Sequence, residues 1–189
     1  MAEDRWLIVG LGNPGSEYAG NRHNVGFDVA DLLGERSGAR FKRDRSRAQL
    51  ATGKVAGLAV ILAKPMTFMN ASGRPVAALR AFYKLAGDRI VVIHDELDIP
   101  FGDIRLKFGG GDNGHNGLRS VTTALGSRDY YRIRIGIGRP PGRMDPADFV
   151  LRDFSAAERK SLPDILNRSA DAAEALLAGG LATAQNAFH

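Results

Sequence analysis

The chain has 189 residues, 26 of them Lys or Arg against 21 Asp or Glu, a net charge of +5, and 44% hydrophobic composition. That length favours one domain with a sizeable core, and the composition excludes collagen-like, coiled-coil and intrinsically disordered classes. With no cysteine, disulfide frameworks, thiol nucleophiles and cysteine-based zinc or iron–sulfur sites are excluded and a cytoplasmic location is expected, while the basic balance fits a polyanionic partner.

Taken in chain order, Trp6 to Gly10 is a continuous apolar run closed by glycine, the pattern of a strand buried on both faces. Val25, Val29, Leu32, Leu33 and Arg36 recur at helical spacing before Gly38, predicting the first helix. Gln49 to Val55 and Leu58 to Lys64, joined by Ala56-Gly57, read as a hairpin, and Val76, Leu79, Phe82 and Tyr83 mark a second helix. The run Leu58 to Ala63 is the longest apolar stretch and falls far short of the roughly 20 residues of a membrane span. Glu3 and Asp4 ahead of a short apolar run do not make a secretory signal. Ile90 to Ile93 predicts a buried strand that ends in His94-Asp95-Glu96-Leu97-Asp98, a site position in an open α/β sheet. Ile104 to Phe108 is a further strand, Leu118 to Leu125 a helix, and Tyr131 to Ile137 an alternating strand. Arg139 to Pro146 reads as a flap or connection. Ser155 and Glu158 form a capping box, Pro163 suits a helix first turn, and an apolar stripe runs on to Gly179-Gly180. The expected architecture is a single α/β domain over residues 1–189, with a twisted, mixed, mostly parallel sheet and helices on both faces.

Gly10-Leu11-Gly12-Asn13-Pro14-Gly15 matches the dinucleotide-binding fingerprint, yet Pro14 and the polar string after it leave no room for a helix to open at once, and Asp31 falls on the predicted helix. The glycines instead leave Asn13 projecting from a strand end. His23 is one of four histidines, and an imidazole is the usual base for activating water near neutral pH. It needs a carboxylate partner, for which Asp95 at the end of a buried strand is the best candidate. There is no cysteine and no G-x-S-x-G elbow, so direct attack by water fits better than a covalent nucleophile. His23, His115 and the acidic string could also supply metal ligands, but no metal-binding spacing supports that reading. Asn70 or Ser72 could cap the second helix. The run Gly109 to Gly117 is denser in glycine than an ordinary turn and precedes a helix N-terminus. Asn13, Asn70 and Asn116 all stand at element ends, where amides that both donate and accept suit a peptide-like or ribose-like substrate.

Together, Val9 to Gly15 with Glu17-Tyr18, Arg22-His23-Asn24, Thr67 to Gly73, His94 to Asp98 and Gly109 to Leu118 resemble the bacterial peptidyl-tRNA hydrolases. Each motif is short, but the set occurs in the family's order from near the N-terminus to Arg139. The resemblance implies hydrolysis of the ester between a peptide and the 3′ ribose of tRNA, in the cytoplasm, by a monomer that needs no metal or organic cofactor. It implies His23 and Asp95 as catalytic residues. It also implies Asn13, Tyr18, Met69, Asn70, His115 and Asn116 as substrate-binding residues in one cleft, and Lys107 and Arg134 as a clamp for the tRNA 5′ phosphate. Asp112-Asn113 departs from the smaller or less acidic pair expected there. The charge run Arg40, Lys42, Arg43, Arg45 and Arg47 reads as a solvated or mobile face.

Overall fold

The computed structural model describes residues 4–189. Seven strands join one sheet: β1 (Trp6–Gly10), β2 (Lys42–Arg43), β3 (Ala48–Val55), β4 (Leu58–Pro65), β5 (Ile90–Leu97), β6 (Ile104–Phe108) and β7 (Tyr131–Gly138). Their order is β2-β3-β4-β1-β5-β7-β6. The four central strands, β4, β1, β5 and β7, run parallel, and antiparallel partners flank them on both sides. Parallel strands of this kind are apolar on both faces, and every residue of β1 is buried. The hairpin turn at Ala56-Gly57 has both residues at positive φ, 52° and 77°, the geometry that matches strand twist in a two-residue connection.

Helices α1 (Val25–Arg36), α2 (Gly73–Tyr83), α3 (Asn116–Leu125), α4 (Pro146–Val150) and α5 (Ala156–Phe188) complete the chain. Val25, Val29 and Leu33 of α1 and Ile165, Leu176 and Leu177 of α5 bury one face of the sheet, and Val76, Leu79, Leu118 and Val121 of α2 and α3 bury the other. The expected α/β architecture with helices on both faces is therefore observed, its parallel pairing confined to the centre. Between β1 and α1 the chain makes two short 3-10 turns, Ser16–Tyr18 and Arg22–Asn24, so no helix opens directly after Gly15 as a dinucleotide fold requires. Gly10 is dictated by contact, since an added Cβ would overlap the Gly26 carbonyl where β1 meets α1.

Two expectations are corrected, for Phe82 and Pro163, and two elements extend beyond what the pattern showed. Phe82 lies off the buried stripe of α2 and is 72% exposed. The polar string after Ile93 belongs to the strand, since β5 continues through Leu97. Pro163 sits in the interior of α5, whose start is set by the Ser155–Glu158 capping box. Residues Pro146–Val150 form a helix, α4, capped by Asp145. Residues 42–43 of the basic run form the edge strand β2, and both are exposed. At the opposite edge, the Leu106 amide of β6 donates to His189 Nε2 at 2.9 Å and the Leu106 carbonyl accepts from Gln185 at 3.0 Å. Those two side chains follow Gly180, whose φ of 84° and ψ of 175° interrupt α5.

Candidate active site

Strand alternation at the C-terminal end of β5 sends Asp95 toward the α1 face and His94 and Glu96 toward the α3 face. Asp95 meets His23, delivered by the 3-10 turn before α1, whose Nδ1 lies 2.8 and 3.0 Å from the two carboxylate oxygens. It also meets His115, whose Nε2 lies 2.9 Å from Oδ1. His115 is the N-cap of α3, and its Nδ1 accepts from the amides of Gly117 and Leu118 at 3.1 and 3.2 Å. An accepting Nδ1 carries no proton, so the His115 proton sits on Nε2 and is donated to Asp95. His23 likewise donates from Nδ1, which leaves its Nε2 as a free acceptor.

Burial drives Asp95 up, but the two imidazoles outweigh it and hold the carboxyl far below the usual range. Burial pulls His23 down, and the charge and hydrogen bond of Asp95 together raise it above 6.5. His94 donates from Nδ1 to the Asp95 carbonyl at 2.7 Å, and its ring stands edge-on to His115. Burial, reinforced by His115 and Arg132 nearby, holds His94 well below the usual imidazole range. His23, Asp95 and His115 offer ligand atoms within 4.8 Å of one another, yet those of Asp95 and His115 are already engaged in hydrogen bonds.

Asn13 is fixed by Asn24, to which sequence reasoning gave no role, and by Met69. Asn24 pairs with its backbone in both directions at 2.9 Å, and the Met69 amide donates to Asn13 Oδ1 at 2.7 Å. The amide orientation is thereby set, with Nδ2 left as a donor on the cleft. Asn13, Tyr18, His23, Met69, Asn70 and Asn116 line one pocket, so six of the eight sequence-predicted catalytic and substrate-binding residues share a wall. Tyr18 stands edge-on to Phe68 across it. Asn70 and Asn116 are exposed and neither acts as a helix cap. His115 and Asp95 line an adjoining pocket, which shares His23, Asn116, Ala147 and Val150 with the first. Thus His115 is a buried partner of Asp95 rather than a member of the amide-lined pocket. Helix α4 walls both pockets, and Arg22, stacked 3.9 Å over Phe149 and paired with Glu158 at 2.7 Å, ties the His23 turn to α4 and α5.

Lys107 and Arg134 lie outside both pockets, on β6 and β7. Lys107 pairs with Arg132 and Arg105 with Arg134, so all four cations share the face opposite Ile104, Leu106, Ile133 and Ile135. Burial and mutual repulsion lower the pKa of Lys107, and of Arg134 despite Glu96 nearby. Arg132, a further residue missed in sequence reasoning, is fully buried and holds the glycine run through the carbonyls of Gly110 and Gly111. Gly110, at φ 98°, lies so near that an added Cβ would come within 2.7 Å of Lys107 Nζ. The unexpected Asp112 closes the turn, its Oδ1 accepting from Gly114 at 2.9 Å and its carbonyl from His115 at 2.8 Å.

The chain is 65% identical to a peptidyl-tRNA hydrolase of Frankia alni, over 97% of this chain and 93% of the relative, and 63% identical to one of Streptomyces coelicolor over 97% and 94%. Its fold is similar to the crystal structure of peptidyl-tRNA hydrolase from Acinetobacter baumannii, with a TM-score of 0.90, 38% identity and coverage of 97% and 94%. No helix among the described residues is long and apolar enough to cross a membrane. The peptidyl-tRNA hydrolase family model matches residues 7–189, and with these relatives it shows that the chain belongs to that family.

Proposed function

We propose that the enzyme hydrolyses the ester between a peptide and the 3′ ribose of tRNA by direct attack of a water molecule that His23 deprotonates. The observation that carries this reading is the Asp95 carboxylate held between two imidazoles, since it orients His23 with Nε2 open to the cleft. Water gives its proton to Nε2 as its oxygen adds to the ester carbonyl, and the ionised Asp95 stabilises the imidazolium. The fixed Nδ2 of Asn13 is the donor best prepared for the developing oxyanion. Collapse of the tetrahedral intermediate expels the 3′-oxygen, which takes the proton back from His23. Asn70 and Asn116 hydrogen-bond the peptide, whose side chains meet Tyr18, Phe68 and Met69. Lys107 and Arg134 hold the tRNA phosphate. No step calls for a metal ion. One chain supplies every group, so the reading is of a single-domain monomer, working in the cytoplasm where peptidyl-tRNA is made.

Release of peptide from purified peptidyl-tRNA tests the reading directly, and a protein that binds this substrate without releasing peptide would overturn it. Asn70→Ala and Asn116→Ala are expected to raise KM and leave the melting temperature nearly unchanged, because exposed cleft amides leave water to satisfy their partners. A sharp fall in melting temperature with full activity per folded molecule would return both residues to structural roles. Replacing Lys107 or Arg134 by Ala is expected to weaken use of intact peptidyl-tRNA and to lower the salt dependence of binding by about one phosphate contact. A peptide ester of the terminal nucleoside alone should be cleaved as by the wild type, because remote phosphate binding acts only when the phosphate is present. Equal losses on that short ester would move either cation into the chemical site.

A further inference from the structure

The two pockets that meet at His23 differ in chemistry. The first is lined by the three asparagines with Tyr18, Phe68 and Met69, which offers both donors and acceptors to a peptide backbone. The second, a cavity of about 120 Å³, lies between the end of β5, the glycine run and α4, and its polar lining includes Asp95, Glu96 and Asn113.

Glu96 is the unexplained group in the second pocket. It is only 7% exposed, yet among the described residues its carboxylate accepts no hydrogen bond and no Lys or Arg lies within ion-pair distance. Its oxygens are not among the fully buried side-chain atoms that lack a partner, so they keep contact with the pocket. Burial pushes Glu96 up to about 7 although Arg134 and Lys107 pull it back. On the other side Glu96 adjoins the basic face of Arg132, Arg134 and Lys107. Asp95, its neighbour on the strand, is already engaged by two imidazoles, so Glu96 is the carboxylate left without a protein partner.

The two products of ester cleavage must leave from opposite sides of the attacked carbonyl. The phosphate-binding face adjoins the Glu96 pocket, so the RNA half of the substrate belongs there and the peptide half in the asparagine pocket. A nucleoside esterified at its 3′-oxygen presents, next to the reacting bond, one hydroxyl donor that a carboxylate can accept. Resting on the reading of the enzyme as a peptidyl-tRNA hydrolase, we propose that Glu96 is a specificity-determining residue that accepts a hydrogen bond from the 2′-hydroxyl of the terminal ribose and so selects ribose over deoxyribose beside the scissile ester.

The test compares N-acetylaminoacyl-tRNA carrying ribose with the same molecule carrying 2′-deoxyribose at its 3′ terminus, as substrates for the wild type, Glu96→Ala and Glu96→Met. Each kcat/KM ratio is divided by the ratio for uncatalysed hydrolysis, which removes the hydroxyl's inductive effect. The wild type is expected to prefer ribose by about tenfold or more, the scale of one hydrogen bond to a charged group, and both variants are expected to lose that preference. Glu96→Met fills the same space, so the comparison stands even where Glu96→Ala does not fold. A wild type without the preference, or variants that lose rate on both substrates while keeping the ratio, would overturn the assignment. Failure of the underlying reading is distinguishable, since the wild type would then release peptide from neither substrate.

Discussion

Replacing His23 with Ala is expected to lower kcat on peptidyl-tRNA by about 10²–10⁴-fold, the usual contribution of a positioned general base, while the Kd for intact substrate stays within a few-fold of wild type. The split follows from the geometry. His23 spends Nδ1 on Asp95 and offers only Nε2 to the cleft, whereas the cations assigned to phosphate lie on β6 and β7. The fold should survive, because Asp95 keeps the His115 hydrogen bond and His115 keeps its cap on α3. Single-turnover release together with equilibrium binding makes the check, and near-wild-type turnover would remove His23 from the chemistry.

Asp95→Asn is expected to cost rate on a similar scale, through the tautomer rather than through lost contact. The proton on His115 Nε2 is forced by the α3 amides, so it must find an acceptor, and the Asn oxygen is drawn to the position of Oδ1. The Asn amino group then faces His23 Nδ1 and pushes the His23 proton onto Nε2, where it blocks base catalysis. In serine-protease triads the same exchange costs about 10⁴-fold for this reason. The pH profile adds a second readout. In the wild type the charge and hydrogen bond of Asp95 raise His23 above 6.5 against the pull of burial. Without that charge burial prevails, the imidazole loses its proton more readily, and the acidic limb of the residual activity moves to lower pH. Asp95 stays ionised far below that range, so the limb reports His23. A limb that does not move would mean that His23 does not sense the carboxylate charge.

Most of the scaffold was written in local pattern. The buried run of β1, the helical spacing of α1 and the Ala56-Gly57 turn each depend on neighbours in sequence, and each stands as the residues imply. The differences arise where tertiary contact decides. Phe82 has helical spacing but faces away from the sheet, and β5 continues through polar residues because its alternation places Asp95 and Glu96 on two different faces. The His23–Asp95 pairing was within reach because the chemistry of an imidazole base demands a carboxylate. The second imidazole on Asp95 was not, since nothing in the local sequence of His115 announces that an N-cap would turn its other nitrogen toward a strand. Arg132 and Asn24 escaped for a similar reason: their work is done on backbone carbonyls and amides of distant segments, which carry no residue-type signature.

The two open edges of the sheet carry different safeguards against pairing with another copy of the chain. At one edge β2 is two residues long, charged and exposed, a poor template for an incoming strand. At the other, β6 is longer and carries apolar residues, and there the outward amide and carbonyl of Leu106 are already occupied by His189 and Gln185. The turn forced by Gly180 is what returns the chain end to that strand. The last residues of α5 therefore act as a plug against edge-to-edge aggregation, a service to solubility rather than to catalysis, performed on the same strand that carries Lys107.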